Sequence, residues 1–149
     1  MNEHLQLHGT AVAIEGAGVL LRGPAGAGKS SLALSLITEG AVLIADDLCE
    51  IRLLGDRLII DLPAAVDSRF RGAIAQRGSG ILHRPYFGPA PLALVVDLRQ
   101  AGSGGEAPGT MEPGSVELLG LACRRAVLDP FQAGASTALR KMALPVPVD

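Results

Sequence analysis

The apolar residues of this chain fall into short runs of differing period, and those runs predict its elements. Leu5, Leu7, Val12 and Ile14 alternate loosely with other residues, which predicts a strand over 5–14 interrupted at Gly9. Residues 15–18 (Glu-Gly-Ala-Gly) predict a turn, so the next apolar run, Val19-Leu20-Leu21, is expected to pair back on the first strand. Residues 31–37 read as a helix, stopped at Glu39-Gly40, where glycine suits a left-handed cap. Residues 41–45 are continuously apolar, as in a strand buried on both faces of a sheet. The apolar runs at 51–54 and 57–60 flank Gly55-Asp56 and predict a tight hairpin.

From Pro63 to Pro91 the periodicity is lost. Prolines at 63, 85, 89 and 91 and glycines at 72, 78, 80 and 88 predict irregular loops, of the kind that often contact substrates. A second strongly apolar run at 92–98 suits the centre of a sheet, and 101–114 reads as a flexible glycine-rich surface loop. A short strand is expected at 116–119 and a terminal helix at 136–142, with Ser136 as its N-cap. Residues 144–149 carry two prolines and predict no regular element.

Composition changes this picture only slightly. A chain of 149 residues is expected to form one domain, and with no Trp, one Tyr and three Phe its core must be aliphatic. A net charge of −2 argues against broad nucleic-acid binding. Cys49 and Cys123 have neither metal-ligand spacing nor a disulfide framework, so buried reduced thiols are expected. The polar start Asn2-Glu3-His4 is unlike a signal peptide, and no apolar stretch approaches the ~20 residues of a membrane span. A soluble cytoplasmic chain is expected.

The chemistry is concentrated in Gly23-Pro24-Ala25-Gly26-Ala27-Gly28-Lys29-Ser30, which fits the phosphate-binding pattern G-x-x-x-x-G-K-[ST] between a strand and a helix. Glycines let successive backbone N–H groups turn inward toward an anion, and the helix N-terminus adds the positive end of its dipole. Lys29 would supply charge to the outer phosphates, and the hydroxyl of Ser30 is a magnesium ligand candidate. The strand at 41–45 ends in Asp46-Asp47, where P-loop enzymes place a magnesium-binding carboxylate. On an extended chain the two carboxylates would point to opposite sides, one toward a metal and one toward an acceptor. His8 reads first as a hydrogen-bonded strand-end histidine. Arg69, Arg71, Arg77 and Arg84 could serve phosphate or partner contacts, although most such loop arginines are merely solvated. Asp97 reads as a strand-end residue rather than a second metal ligand.

His8-Gly9, Gly18 to Leu21, the loop through Ser30, Leu32-Ala33-Leu34 and the run from Gly40 to Asp47 together resemble the HPr kinase/phosphorylase family. The stretch from Leu118-Leu119-Gly120 through Asp129-Pro130-Phe131 is similar to short forms of that family, which consist of the kinase domain alone. The resemblance implies an α/β fold, a P-loop-containing mixed β-sheet related to that of PEP carboxykinase. It implies a bacterial ATP- and magnesium-dependent serine kinase of the phosphocarrier HPr, with a phosphate-dependent reverse reaction. The family's usual assembly is a hexamer. By the same resemblance Gly23 to Ser31 would hold the nucleotide, Ser30 and Asp46 would hold the metal, and Asp47 would be the catalytic acid or base. His8 would lie near the phosphate, and Arg77 belongs to a signature matched by Arg77-Gly78-Ser79-Gly80-Ile81.

Two features depart from the family pattern. Ala75 stands where a carboxylate is usual, and the chain stops after Leu144-Pro145-Val146, before the family's basic segment. Each is expected to weaken the reaction or partner binding. A nucleotide-binding regulator derived from the kinase and a P-loop kinase for a small acceptor are therefore the alternative readings.

Overall fold

In the computed structural model, residues 4–24, 26–76, 78, 80–99 and 114–144 are described. Strands β1 (His4–His8), β2 (Thr10–Ile14) and β3 (Ala17–Arg22) lead into helix α1 (Lys29–Thr38). Next come β4 (Val42–Ala45), β5 (Leu48–Leu54), β6 (Arg57–Asp61), a 3-10 turn at Ser68–Phe70, β7 (Ala73–Gln76) and β8 (Gly80–His83). The chain closes with β9 (Ala90–Leu98), β10 (Gly114–Leu118), β11 (Leu121–Leu128) and α2 (Ala135–Ala143). Nine strands form one mixed sheet along the path β1-β5-β6-β9-β3-β2-β4, with β11 on β9 and β10 on β11, while β7 and β8 form a separate pair.

The expected single strand over 5–14 is two strands. Gly9 divides it because a Cβ there would lie 2.6 Å from the Leu21 carbonyl oxygen, so the backbones approach closer than any side chain permits. β1 pairs with β5, and β2 pairs antiparallel with both β3 and β4. Residues adjacent in sequence thus stand far apart along the sheet path, and the sheet curls to accommodate them. The return of β3 on β2 and the β5–β6 hairpin follow the sequence pattern.

Two cores result. One packs α1 and α2 on the sheet through Leu21, Leu32, Leu36, Leu43, Leu94 and Leu139. The other fills the curl with Leu20, Ile44, Cys49, Ile51, Ile60 and Val95. As expected, β9 is central: it pairs with β3, β6 and β11, and Leu94, Val95 and Val96 are fully buried. β4 is buried as expected but lies at the end of the strand path. Its outer edge is covered by residues 86 and 87, where the Phe87 N–H donates to the Leu43 carbonyl at 2.8 Å.

Four further features differ from the sequence expectations. The stretch 63–91 is not wholly irregular, because β7 and β8 pair within it over a very short register. β11 was missed, since Arg124-Arg125 interrupts its apolar run, although Leu119 (φ 50°) and Gly120 (φ 84°) make the turn that creates it. Ser136 does not cap α2. Gly134 occupies that place at φ 80°, and the Ser136 hydroxyl donates instead to Glu39 Oε2 at 3.3 Å. Asp47 is not extended: it sits in the bend between β4 and β5 at φ 74°. The loop expected at 101–114 lies outside the described residues except for Gly114, and 145–149 lie outside them too. Among the described residues no helix is long and apolar enough to cross a membrane.

Candidate active site

Strand direction gathers the motif residues at one end of the sheet. β3 and β4 are both antiparallel to β2 and therefore point the same way, and β9 and β11 run parallel to β3. The C-terminal ends of β3, β4, β9 and β11 and the N-terminal end of β2 consequently share one edge. Ligand sites in open α/β sheets form beyond such carboxyl ends.

The glycine-rich loop follows β3. A Cβ at Gly23 would lie 2.9 Å from the Ala27 Cβ, so the loop closes on itself only with glycine there. The Ala27 N–H donates to the Pro24 carbonyl at 3.0 Å, and Gly26 and Gly28 take φ of 83° and 95°. The Lys29 ammonium donates to the carbonyls of Gly23 (2.6 Å) and Pro24 (3.2 Å), which holds it across the loop. The first turn of α1 contains no acid and no side-chain cap, so its N–H groups and positive dipole end face the loop. Pro130 and Phe131 seat against Gly28, and the turn that carries them is fixed by the Phe131 N–H donating to Asp129 Oδ1 at 2.9 Å. Ala25 lies outside the described residues.

Asp46 meets this loop from β4. Its Oδ1 accepts from the Ser30 hydroxyl at 3.4 Å and from the Thr10 hydroxyl at 2.8 Å, and its Oδ2 accepts from the Ala75 N–H at 2.9 Å. Nothing in the sequence singles out Thr10, an isolated hydroxyl in an apolar run, yet it is 1% exposed and touches the acid directly. Beside this junction, a cavity of ≈ 250 Å³ is lined by Gly26, Gly28, Lys29, Ser30, Ser31, Ala75 and Gln76. A second cavity of ≈ 410 Å³ contains Asp46 and Asp47 among largely apolar walls that include Leu62, Val66, Phe70 and Ile81. Ala75 lines both. A cavity of ≈ 450 Å³ near Glu39 and Lys141 is lined by no residue of the glycine-rich loop and by neither Asp46 nor Asp47.

His8 is brought close through the backbone: it pairs opposite Leu48, and the Gly9 N–H donates to the Asp47 carbonyl at 3.1 Å. Its side chain is exposed, on the face opposite Leu7. Arg77 lies outside the described residues. The other loop arginines serve the scaffold or solvent. Arg71 donates to Asp61 Oδ1 at 3.0 Å and lies 5.6 Å from the Tyr86 ring centroid, with Asp61 holding its guanidinium firmly charged. Arg69 pairs with Asp67 on the surface, and Arg84 donates to the His83 carbonyl.

Asp97 is structural, as its strand-end position suggests. It accepts from Arg22 Nε (2.8 Å) and Arg125 Nε (2.6 Å), directly beneath the start of the loop. Burial pushes its carboxyl pKa up, but the hydrogen bonds and charges of the two arginines outweigh that and leave it below the usual range. Cys49 is buried behind the acids, its Sγ 3.4 Å from the Gly9 carbonyl oxygen. Burial, then the charges of Asp46 and Asp47, push its thiol far above the ordinary range. Both cysteines are free and buried.

The family profile described as HPr Serine kinase C-terminal domain matches residues 1–95, which include the loop, Asp46, Asp47 and Ala75. The chain belongs to the HPr serine kinase C-terminal domain family. It is 35% identical over 153 residues to the HPr kinase/phosphorylase of Aromatoleum aromaticum, covering 93% of this chain and 46% of that protein. It is 37% identical over 95 residues to the HPr kinase/phosphorylase of Alkaliphilus metalliredigens, covering 63% of this chain and 30% of that protein. The chain thus spans less than half the length of these HPr kinase relatives. Its fold matches the structure of the Hpr(Ser) kinase/phosphatase from Coxiella burnetii with a TM-score of 0.70 at 21% identity, over 93% of this chain and 86% of that one. The mixed α/β architecture expected from the sequence is therefore the architecture found.

Proposed function

We propose that this chain is a magnesium-dependent kinase that transfers the γ-phosphoryl group of ATP to a serine hydroxyl of the phosphocarrier HPr, and that phosphate-dependent removal of that group is its reverse reaction. The observation that carries this reading is the contact of Ser30 Oγ with Asp46 Oδ1, which joins the glycine-rich loop to the acid at the end of β4. The family membership and the names of its relatives support the same reading.

The donor set suits magnesium. A serine hydroxyl and one carboxylate are hard oxygen ligands, and magnesium is commonly held by one or two carboxylates together with substrate phosphates. Ser30 and Asp46 would hold it, and when bound it would neutralise charge on the β- and γ-phosphate oxygens. The loop N–H groups and the start of α1 would bind the phosphates, with Lys29 adding positive charge. Asp47 would accept the proton of the serine hydroxyl while its oxygen bonds to the γ-phosphorus and the bond to the ADP oxygen breaks. Carboxylates are weak bases toward alcohols, so positioning must supply most of the acceleration. The left-handed backbone at Asp47, strained for a non-glycine residue, supports such a fixed placement. The apolar cavity beside Asp47 favours a protein acceptor over a small polar one, because it would seat an apolar side chain next to the serine.

The second reading is a nucleotide-binding regulator without transfer. It is favoured by the methyl group of Ala75 at the junction of the two cavities, where a carboxylate would complete an acidic shell. The deciding experiment incubates HPr with labelled ATP, magnesium and this chain, alongside Lys29→Ala, Asp47→Asn and Ala75→Glu variants. The kinase reading expects serine phosphorylation by the native chain, loss of ATP binding in Lys29→Ala, and retained binding without transfer in Asp47→Asn. ATP binding with transfer only by Ala75→Glu, or with none at all, selects the regulator. Absence of an ATP-induced thermal shift refutes both readings.

A further inference from the structure

Asp46 stands in a bend rather than a strand, so its own backbone does not fix the direction of its carboxylate. Carboxylate torsions are soft, and a group of this kind is held only by its donors. One donor is the Ser30 hydroxyl in the first turn of α1, at 3.4 Å. A second is the backbone of a separate two-stranded pair, the Ala75 N–H at 2.9 Å. The shortest is Thr10, whose hydroxyl donates to Asp46 Oδ1 at 2.8 Å. Thr10 opens β2 opposite Leu21 of β3, one residue before the strand end that feeds the loop. Thr10 is 1% exposed and Asp46 only partly so, which shields the donor side of this hydrogen bond from competing water. As a β-branched residue it is also stiff at χ1.

We infer that Thr10 is a positioning residue: its buried hydroxyl locks the Asp46 carboxylate against the sheet, so that the remaining oxygen lone pairs face Ser30 and the metal–nucleotide complex. This rests on the kinase or regulator reading above, because it presupposes nucleotide binding with magnesium. Thr10 itself lines neither of the two cavities beside Asp46. It sets the register between the strand that feeds the loop and the acid that would complete the metal shell. Valine keeps its shape and removes the donor, leaving Asp46 Oδ1 with the weaker Ser30 contact alone.

The test is calorimetric titration of ATP into the full chain, with excess magnesium and separately with EDTA, for wild type, Thr10→Val, Thr10→Ser and Asp46→Asn. In the wild type magnesium should tighten ATP binding. Thr10→Val should lose most of that gain, about fivefold or more in apparent affinity and so the equivalent of one ordinary hydrogen bond, while its EDTA affinity stays within about twofold of wild type. Thr10→Ser should restore the gain, and adding Thr10→Val to Asp46→Asn should cost nothing further. A Thr10→Val chain that melts earlier yet keeps the full magnesium-dependent gain overturns the inference and leaves Thr10 as packing. Where Thr10→Val does not fold, Thr10→Ala is judged by the same ratio. A wild type that binds no ATP in either buffer overturns the functional reading and this inference with it. A wild type that binds with a magnesium gain, beside a Thr10→Val that keeps it, overturns this inference alone.

Discussion

Asp97→Asn should uncouple the glycine-rich loop from the sheet, because Arg22, which immediately precedes Gly23, is tied to Asp97 through Nε at 2.8 Å and Nη2 at 3.1 Å. Arg125 reaches the same carboxylate at 2.6 Å, and the three side chains are only 27%, 21% and 21% exposed. Removing one member of a buried ion pair costs about 3–5 kcal/mol, and partial exposure reduces this to roughly 2–3 kcal/mol. At about 3 °C per kcal/mol for a chain of this size, the melting temperature should fall by roughly 6–9 °C at pH 7. The pH dependence carries a definite sign. The folded carboxyl lies below its unfolded value, so its contribution is present above the unfolded pKa near ~3.9 and is lost as pH falls through the folded pKa. The melting difference between wild type and variant should therefore be flat from pH 7 to about 5 and shrink below about 4. Thermal melts followed by circular dichroism at a series of pH values measure it. A variant within about 1 °C of wild type at pH 7, or a gap that does not close in acid, refutes this account of the triad.

Gly28→Ala should damage the loop and its support together. The residue has φ 95°, and its Cβ would lie 3.1 Å from Pro130 Cγ and 3.2 Å from Phe131 Cζ, so a loss of about 1–3 kcal/mol is expected. Melting curves check the stability, and an ATP titration should show at least about tenfold weaker binding, the equivalent of one or two loop contacts. Both thiols should be unreactive in the native state. At pH 8 Ellman's reagent should label neither Cys49 nor Cys123 within minutes and should label both in 6 M guanidinium, because burial raises both thiol pKa values and blocks access. Rapid native labelling of Cys49 would mean that the wall behind Asp46 opens. For the transfer chemistry, Asp47→Asn should leave ATP affinity within about twofold of wild type and lower the HPr phosphorylation rate by at least about a hundredfold, measured by label incorporation.

Much of this molecule is written locally. The loop from Gly23 to Ser30, the helix after it, the Gly55-Asp56 hairpin and the buried run of β9 are legible because a glycine pattern, a helical stop and apolar continuity are properties of neighbouring residues. The sequence also places Asp46 correctly at the end of an apolar strand, since acid after such a run marks where the strand leaves the sheet. It could not determine the bend that turns Asp47 to φ 74°, because a short acidic dipeptide has no local preference strong enough to announce it. It gave α2 a serine cap that the chain does not use, since Ser136 found Glu39 across the fold.

Tertiary structure alone decided the site's architecture. Thr10, Ser30, Asp46 and Ala75 are spread over 66 positions between the first and last of them, and no spacing rule links a hydroxyl in an apolar strand to the N–H of an alanine in a proline- and glycine-rich stretch. They meet because β2 lies between β3 and β4, which makes those two strands parallel and puts their ends on one edge. The β7–β8 pair then folds over that edge, where Ala75 reaches Asp46. Residue pattern specifies each strand, whereas strand order depends on which apolar faces can be buried together, and that is a property of the whole chain.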